Sequence, residues 1–135
     1  MTDEEIIALF DRSTTVAVVG ASTDPEKPSN AIPRILLDAG FTMIPVNPTA
    51  TEIHGQQVYG SLEDVPVPVD IVDVFRPPAE APGVAEGAVT IGANTLWLQM
   101  GITSEQAKEI AEGNGLDYVE DLCIGATVKR LGYSK

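Results

Sequence analysis

The chain has 135 residues, 44% of them apolar and 21% charged, proportions ordinary for a globular protein. Its 20 acidic and 8 basic side chains leave a net charge of −12, which argues against nucleic acid or an anionic membrane as main partner, since both need a basic footprint. No apolar run approaches the ~20 residues of a membrane span, Met1-Thr-Asp-Glu-Glu5 is acidic where a secretory signal is basic, and the single Cys123 cannot close an internal disulfide. A cytoplasmic location is therefore expected.

Asp3–Asp11 reads as a short amphipathic helix, capped by Thr2 or Asp3, with Ile6, Ile7 and Phe10 on one face to cover one end of the sheet. The exposed apolar side of this helix is the one surface that suggests a homodimer. Thr15–Val19 follows as a run of β-branched and small apolar residues, suited to a strand buried on both faces. It stops at Gly20, where the backbone turns tightly or lets a ligand approach. Ser29 and Asn30 offer N-cap chemistry for a helix over Ala31–Ala39, closed by Gly40. Such a strand–glycine turn–helix unit is how α/β proteins commonly bind phosphate, because free backbone N–H groups and the helix dipole face the anion.

Phe41–Val46 is the second strand, with Pro45 acceptable at its C-terminal end. Thr49–Val58 reads as loop with a short extended piece at 57–59, and Ser61–Asp64 as a single helical turn held short by Pro66 and Pro68. Val69–Phe75 is the third strand and Ala79–Ile91 a helix whose start Pro82 and Gly83 delay. Thr95–Gln99 is the fourth strand. A capped helix from Thr103-Ser104 runs to Glu112 before Gly113-Asn114-Gly115. Leu116–Glu120 is a fifth strand, and Thr127–Leu131 a terminal helical turn or two. This alternation predicts one domain over residues 1–135, a Rossmann-like α/β three-layer sandwich with a five-stranded, mainly parallel sheet in the order 3-2-1-4-5.

Ligands of such sheets sit beyond the C-terminal ends of the strands, which singles out the loops at 20–30, 46–51, 75–78, 99–102 and 123–127. The first loop lacks the second and third glycines of a dinucleotide fingerprint, and no acidic residue ends the second strand, so a nicotinamide site is disfavoured. No G-x-x-x-x-G-K-[ST] phosphate loop occurs. Arg76 is the only one of four arginines at a strand C-terminus, where a guanidinium binds phosphate or stacks on adenine; its competing role is a surface pair with Glu80. Lys27 can reach a phosphate or stay in solvent, Ser22, Ser29 and Asn30 are short donors or turn formers, and Gln99 is a neutral donor and acceptor on the same cleft. Cys123 reads as a buried thiol, His54 as a lone loop histidine, and one of each builds no ordinary zinc site. No catalytic constellation emerges.

Five segments together resemble the small CoA-binding proteins, which are similar to the N-terminal CoA-binding domain of the succinyl-CoA synthetase α subunit. They are Val16-Ala-Val-Val-Gly-Ala-Ser22, Lys27-Pro-Ser29, Ile44-Pro-Val-Asn-Pro48, Val69-Asp-Ile-Val-Asp-Val-Phe-Arg-Pro77 and Leu96-Trp-Leu-Gln-Met-Gly101. The resemblance implies coenzyme A or an acyl-CoA held across the strand ends. Gly20, Ala21, Ser22, Thr23, Lys27, Ser29 and Asn30 would wrap pyrophosphate and pantetheine, with Val46, Asn47 and Pro48 on the nucleotide side. Phe75, Arg76 and Pro77 would flank the adenine, and Leu98, Gln99 and Gly101 would close the far wall. Two positions depart from the pattern: Thr49 and Gly125 stand where relatives often carry a basic residue. The expectation is a non-catalytic CoA-binding protein, without a metal. The alternatives are an adenine-nucleotide or acyl-CoA enzyme using Cys123 as a thiol, or an NAD-binding domain.

Overall fold

Val16, Ala17 and Val18 are wholly buried because their strand, β1 (Thr15–Val19), lies inside a parallel sheet with helices on both faces. The computed structural model describes all residues, Met1–Lys135. Its remaining elements are α1 (Asp3–Asp11), α2 (Pro28–Asp38), β2 (Thr42–Val46), β3 (Glu52–Ile53), β4 (Gln56–Gln57), β5 (Ile71–Val74), α3 (Ala81–Thr90), β6 (Thr95–Leu98), α4 (Glu105–Gly113), β7 (Asp117–Val119) and α5 (Ile124–Leu131). The main sheet runs β2-β1-β5-β6-β7, all parallel. No helix is long and apolar enough to cross a membrane.

The α/β class is as expected, but the strand order is not: the third long strand lies beside the first, giving 2-1-3-4-5 instead of 3-2-1-4-5. Pro45 explains the difference. Its carbonyl accepts from Tyr59 N–H at 3.1 Å on the side away from β1. A strand residue's N and C=O point the same way, so the missing proline donor also faces outward. No full strand can pair there, which makes β2 an edge. Tyr59 closes that edge with a single bridge to Val46, and β5, buried at every residue, takes the inner place beside β1.

Two cores result. Ile6, Leu9 and Phe10 of α1, Ile32 and Leu36 of α2, and Ile124 and Val128 of α5 pack on one face with Val16, Val18, Ile71 and Trp97. The other face holds Ala81, Ala85 and Ala88 of α3 and Ala107 and Ala111 of α4, whose small side chains at helical spacing let both helices approach closely. Thr2 caps α1 in a reciprocal box with Glu5. Leu9, not Ile7, completes the buried stripe of α1, and the helix covers a face of the sheet, Phe10 stacking on Trp97 with centroids 5.8 Å apart. The expected loop at 49–58 contains the β3–β4 hairpin, turned by His54 (φ 51°) and Gly55 (φ 76°), the two positive angles a tight hairpin needs.

Helix α2 begins at Pro28, three residues before the expected start, with Lys27 rather than Ser29 or Asn30 at its N-cap. Proline is well suited to a first helical position. Helix α5 likewise starts earlier than expected, at Ile124, because the Cys123 sulfur accepts the Ala126 N–H at 3.4 Å and caps it. Helix α3 starts at Ala81, two residues after Ala79 and behind a 3-10 turn over Pro78–Glu80, with Pro82 in its first turn.

Candidate functional site

The order β2-β1-β5 places the point where the strand order reverses between β1 and β5, so Gly20 abuts Phe75 and Arg76 directly. Gly20 has φ +90°, and a Cβ there would lie 2.9 Å from Arg76 Cδ and 3.2 Å from the Phe75 carbonyl oxygen. Only glycine fits this turn. Two depressions open next to this contact, one lined by Phe75 and the other by Val19, the chain neighbours of Arg76 and Gly20.

The first depression, about 260 Å³, is lined by Lys27, Pro28, Ser29, Phe75, Gln99, Met100, Ile102 and Cys123. It lies between the starts of α2 and α5. The second, about 470 Å³, includes Val19, Val46, Leu62, Glu80, Gly83 and Val84, on the α3 side of the sheet. The first is smaller than the roughly 300–1,000 Å³ of a drug-sized ligand site, so any longer ligand in it must extend beyond it.

The 20–30 loop owes its shape to Pro33 inside α2, a residue the sequence reading passed over. Proline cannot donate to the carbonyl four residues earlier, and that carbonyl, on Ser29, accepts Ser22 N–H at 3.0 Å instead. Asn30 Nδ2 donates to the Ser22 carbonyl at 2.8 Å, closing the loop from the other side. At the start of α2, Lys27 N–H is bound to the Asp24 carbonyl, Pro28 has none, and Asn30 N–H is bound to the Lys27 carbonyl. Ser29 supplies the backbone donor left for an anion, with the Lys27 ammonium and Ser29 hydroxyl beside it. Thr23 is exposed and Ala21 fully buried, its carbonyl accepting Asn47 Nδ2 at 2.9 Å.

Asn47 spends its amide inside the fold: Oδ1 accepts from Thr49 and Ala50 N–H at 2.8 and 2.9 Å. It ties the β2 loop to the β1 loop, while Pro48 beyond it is exposed. Gly101 (φ +86°) makes the turn closed by Ile102 N–H on the Gln99 carbonyl at 3.0 Å. Leu98 is wholly buried in the α3/α4 core and does not reach the cleft. Val46 faces that same side and lines only the second depression. Arg76 is exposed, as is Pro77 after it, and pairs with Glu80 at 2.8 Å, the arrangement that competed with ligand binding in the sequence reading. Such a pair is weak enough, about 0–1 kcal/mol, to yield to a phosphate.

Cys123 is half-buried and lines the first depression instead of lying in the core. Gly125 does not face the cleft: a Cβ there would lie 2.7 Å from Ile32 Cδ1, so the residue allows α5 to close on α2. His54 is half-buried, its Nε2 bound to the Asn30 carbonyl at 2.6 Å, which links the hairpin to α2.

The sequence reading also missed Asp73. It is fully buried on the β5 strand between Val18 and Trp97, and burial pushes its carboxyl up to about 8 against the opposing pull of the Gln99 amide. Gln99 Nε2 donates to Asp73 Oδ1, and Gln99 Oε1 accepts from Ile124 N–H at 3.3 Å. The Ile124 donor fixes which way the amide faces. Asp73 Oδ2 has no partner. The signal was an acidic residue in the middle of an otherwise apolar strand.

A family model described as a CoA binding domain matches residues 14–129. The uncharacterized protein YneT of Bacillus subtilis is 39% identical over 120 residues, 89% of each chain. The ADP-forming acetate–CoA ligase of Methanocaldococcus jannaschii is 30% identical over 119 residues, 82% of this chain but 17% of the ligase. Among solved structures, a hypothetical protein of Pyrococcus horikoshii superposes with a TM-score of 0.94 at 34% identity, covering 97% of this chain and 92% of that one.

Proposed function

The chain belongs to the family of CoA-binding domains, and on that premise we propose that it binds coenzyme A or an acyl-CoA without transforming it. The observation that carries this reading is the pair of depressions whose linings include Phe75 and Val19, the residues next to Arg76 and Gly20. Such a pair suits a long ligand with an anionic middle: Lys27 and Ser29 line the first depression, and the exposed Arg76 follows Phe75, which lines the first, and pairs with Glu80, which lines the second. The pyrophosphate then lies over Gly20, where no side chain intervenes, and Arg76 exchanges Glu80 for a phosphate or stacks on the adenine. The adenine lies toward Val46 and Glu80, and the pantetheine arm runs past Phe75 to Gln99 and Cys123. Residues 21–23, Asn47 and Gly101 shape the loops without offering side-chain donors that the fold has not already used, save the Ser22 and Thr23 hydroxyls.

A thermal-shift titration with CoA, acetyl-CoA, dephospho-CoA, NAD and ATP tests the reading. A ligand at 100 times its Kd adds about 2.7 kcal/mol, several degrees for a chain of this size. Stabilisation by CoA and not by NAD is expected; no shift with millimolar CoA removes the assignment. A second reading, in which Cys123 reacts as a thiol, is favoured by the placement of that sulfur at the mouth of α5 in the cleft. Alkylation of Cys123 that CoA fails to slow would place the thiol outside the ligand path.

A further inference from the structure

Asp73 is the one buried side chain with a polar atom left unpartnered, and it lies directly beneath the floor of the first depression through its bond to Gln99. A charged carboxylate in such a place needs a cation or several donors, because the desolvation penalty is otherwise several kcal/mol. It has one neutral donor and no cation. The ionisable groups on the surrounding elements are Lys27 at the start of α2, Cys123 at the start of α5, and the exposed Arg76, which is paired with Glu80. The flanking strands present Val18 and Trp97, and α1 presents Ile6, Leu9 and Phe10. The neutral acid is therefore the resident form, and it holds the Gln99 amide toward itself on one side and toward Ile124 N–H on the other.

We propose that Asp73 is a positioning residue for the ligand cleft, and that binding of an anionic CoA-type ligand is coupled to the single proton this carboxyl carries. The inference rests on the CoA reading for the identity of the ligand. Loss of the proton puts a negative charge beneath the cleft, where low dielectric screens it poorly. It also draws water to the nearest opening, which is the Gln99 floor. Both effects oppose an anion lying between Lys27 and the start of α5. By linkage, the ligand strengthens Asp73's hold on its proton as much as the proton strengthens the ligand.

The test is isothermal titration of wild type and Asp73→Asn with acetyl-CoA, which has no free thiol to titrate, between pH 6.5 and 9.5. Asparagine retains an acceptor for Gln99 and cannot ionise. If the ligand requires the proton, wild-type affinity falls about tenfold from pH 7 to pH 9, the one-proton limit around a carboxyl near pH 8, while Asp73→Asn stays within about twofold. Parallel losses in both proteins overturn the inference and assign the pH dependence to Lys27, Cys123 or the ligand. In ligand-free protein, the Gln99 side-chain amide resonances of wild type shift in one step over the same range. Stationary resonances overturn the coupling even if Asp73→Asn does not fold. Absence of binding by wild type at every pH, with the resonances still titrating, brings down the CoA reading and the coupling to it, while the Asp73–Gln99 contact stands.

Discussion

Replacing Asp73 by asparagine separates the cost of its buried proton from everything else in the fold. From the ordinary value of 3.8 up to about 8, the folded protein keeps a proton that the unfolded chain has released. Stability contributed at this position therefore falls as pH rises through that window. Each pH unit inside it is worth ~1.4 kcal/mol, so wild type loses about 2.7 kcal/mol relative to Asp73→Asn between pH 5 and pH 7, and little more above pH 8. The asparagine NH2 in place of the unpartnered oxygen adds an unsatisfied donor costing about 1–3 kcal/mol, but that penalty is independent of pH. The slope, not the offset, is the test. Carboxyls such as Asp3, Glu5 and Asp38, which their hydrogen bonds hold below the usual range, are the same in both proteins and cancel. Urea unfolding at pH 5, 6, 7 and 8, with equal m-values for the two proteins, measures the gap. A gap that stays constant across these pH values refutes the reasoning, because Asp73 then titrates alike in the folded and unfolded chains.

Gly20→Ala forces a Cβ into a left-handed conformation and to within 2.9 Å of Arg76 Cδ; about 2 kcal/mol of stability should go, and calorimetry showing an unchanged Tm would contradict the turn. Pro33→Ala restores a helical donor to the Ser29 carbonyl, in competition with Ser22. The Ser22 amide should then exchange with solvent about tenfold faster by NMR, as expected for losing ~1.4 kcal/mol of protection, and CoA should bind more weakly; no change in either would separate the proline from the loop. Arg76→Ala should shift Tm little, since its ion pair is half-exposed, yet weaken CoA about tenfold by titration calorimetry, roughly the worth of one charge-assisted phosphate bond. Unchanged affinity would leave Arg76 as a surface residue only.

The order of elements was legible in the sequence because periodicity and turn chemistry are local. β1 is an unbroken run of β-branched and small apolar residues, Thr2 and Ser104 stand as caps where the helices start, and Gly20, Gly101 and Gly115 mark turns with positive φ. The placing of Gly20 and Gly101 at the C-terminal end of a parallel sheet followed from the alternation of strand and helix. The approach of Gly20 to Arg76, however, depended on strand order, and there local reasoning failed. Pro45 carried the missing information, since only an edge strand tolerates the lost donor; it was read for its position along the strand and not for its side. Pro33 was overlooked in the same way, although the carbonyl it frees is what fastens the 20–30 loop.

What the sequence alone determined is the alternating α/β chain, its two-sided burial and the five segments that mark the CoA-binding family. The tertiary structure decided three further things. It set Gly20 against Arg76, withdrew Leu98 into the far core while Asn47 became a tie between loops, and joined Asp73 to Gln99 beneath the cleft. The physical reason is that hydrophobic periodicity registers which face of an element is buried. It does not register which buried atom meets which, and for a carboxyl inside an apolar core that meeting decides whether it carries a proton.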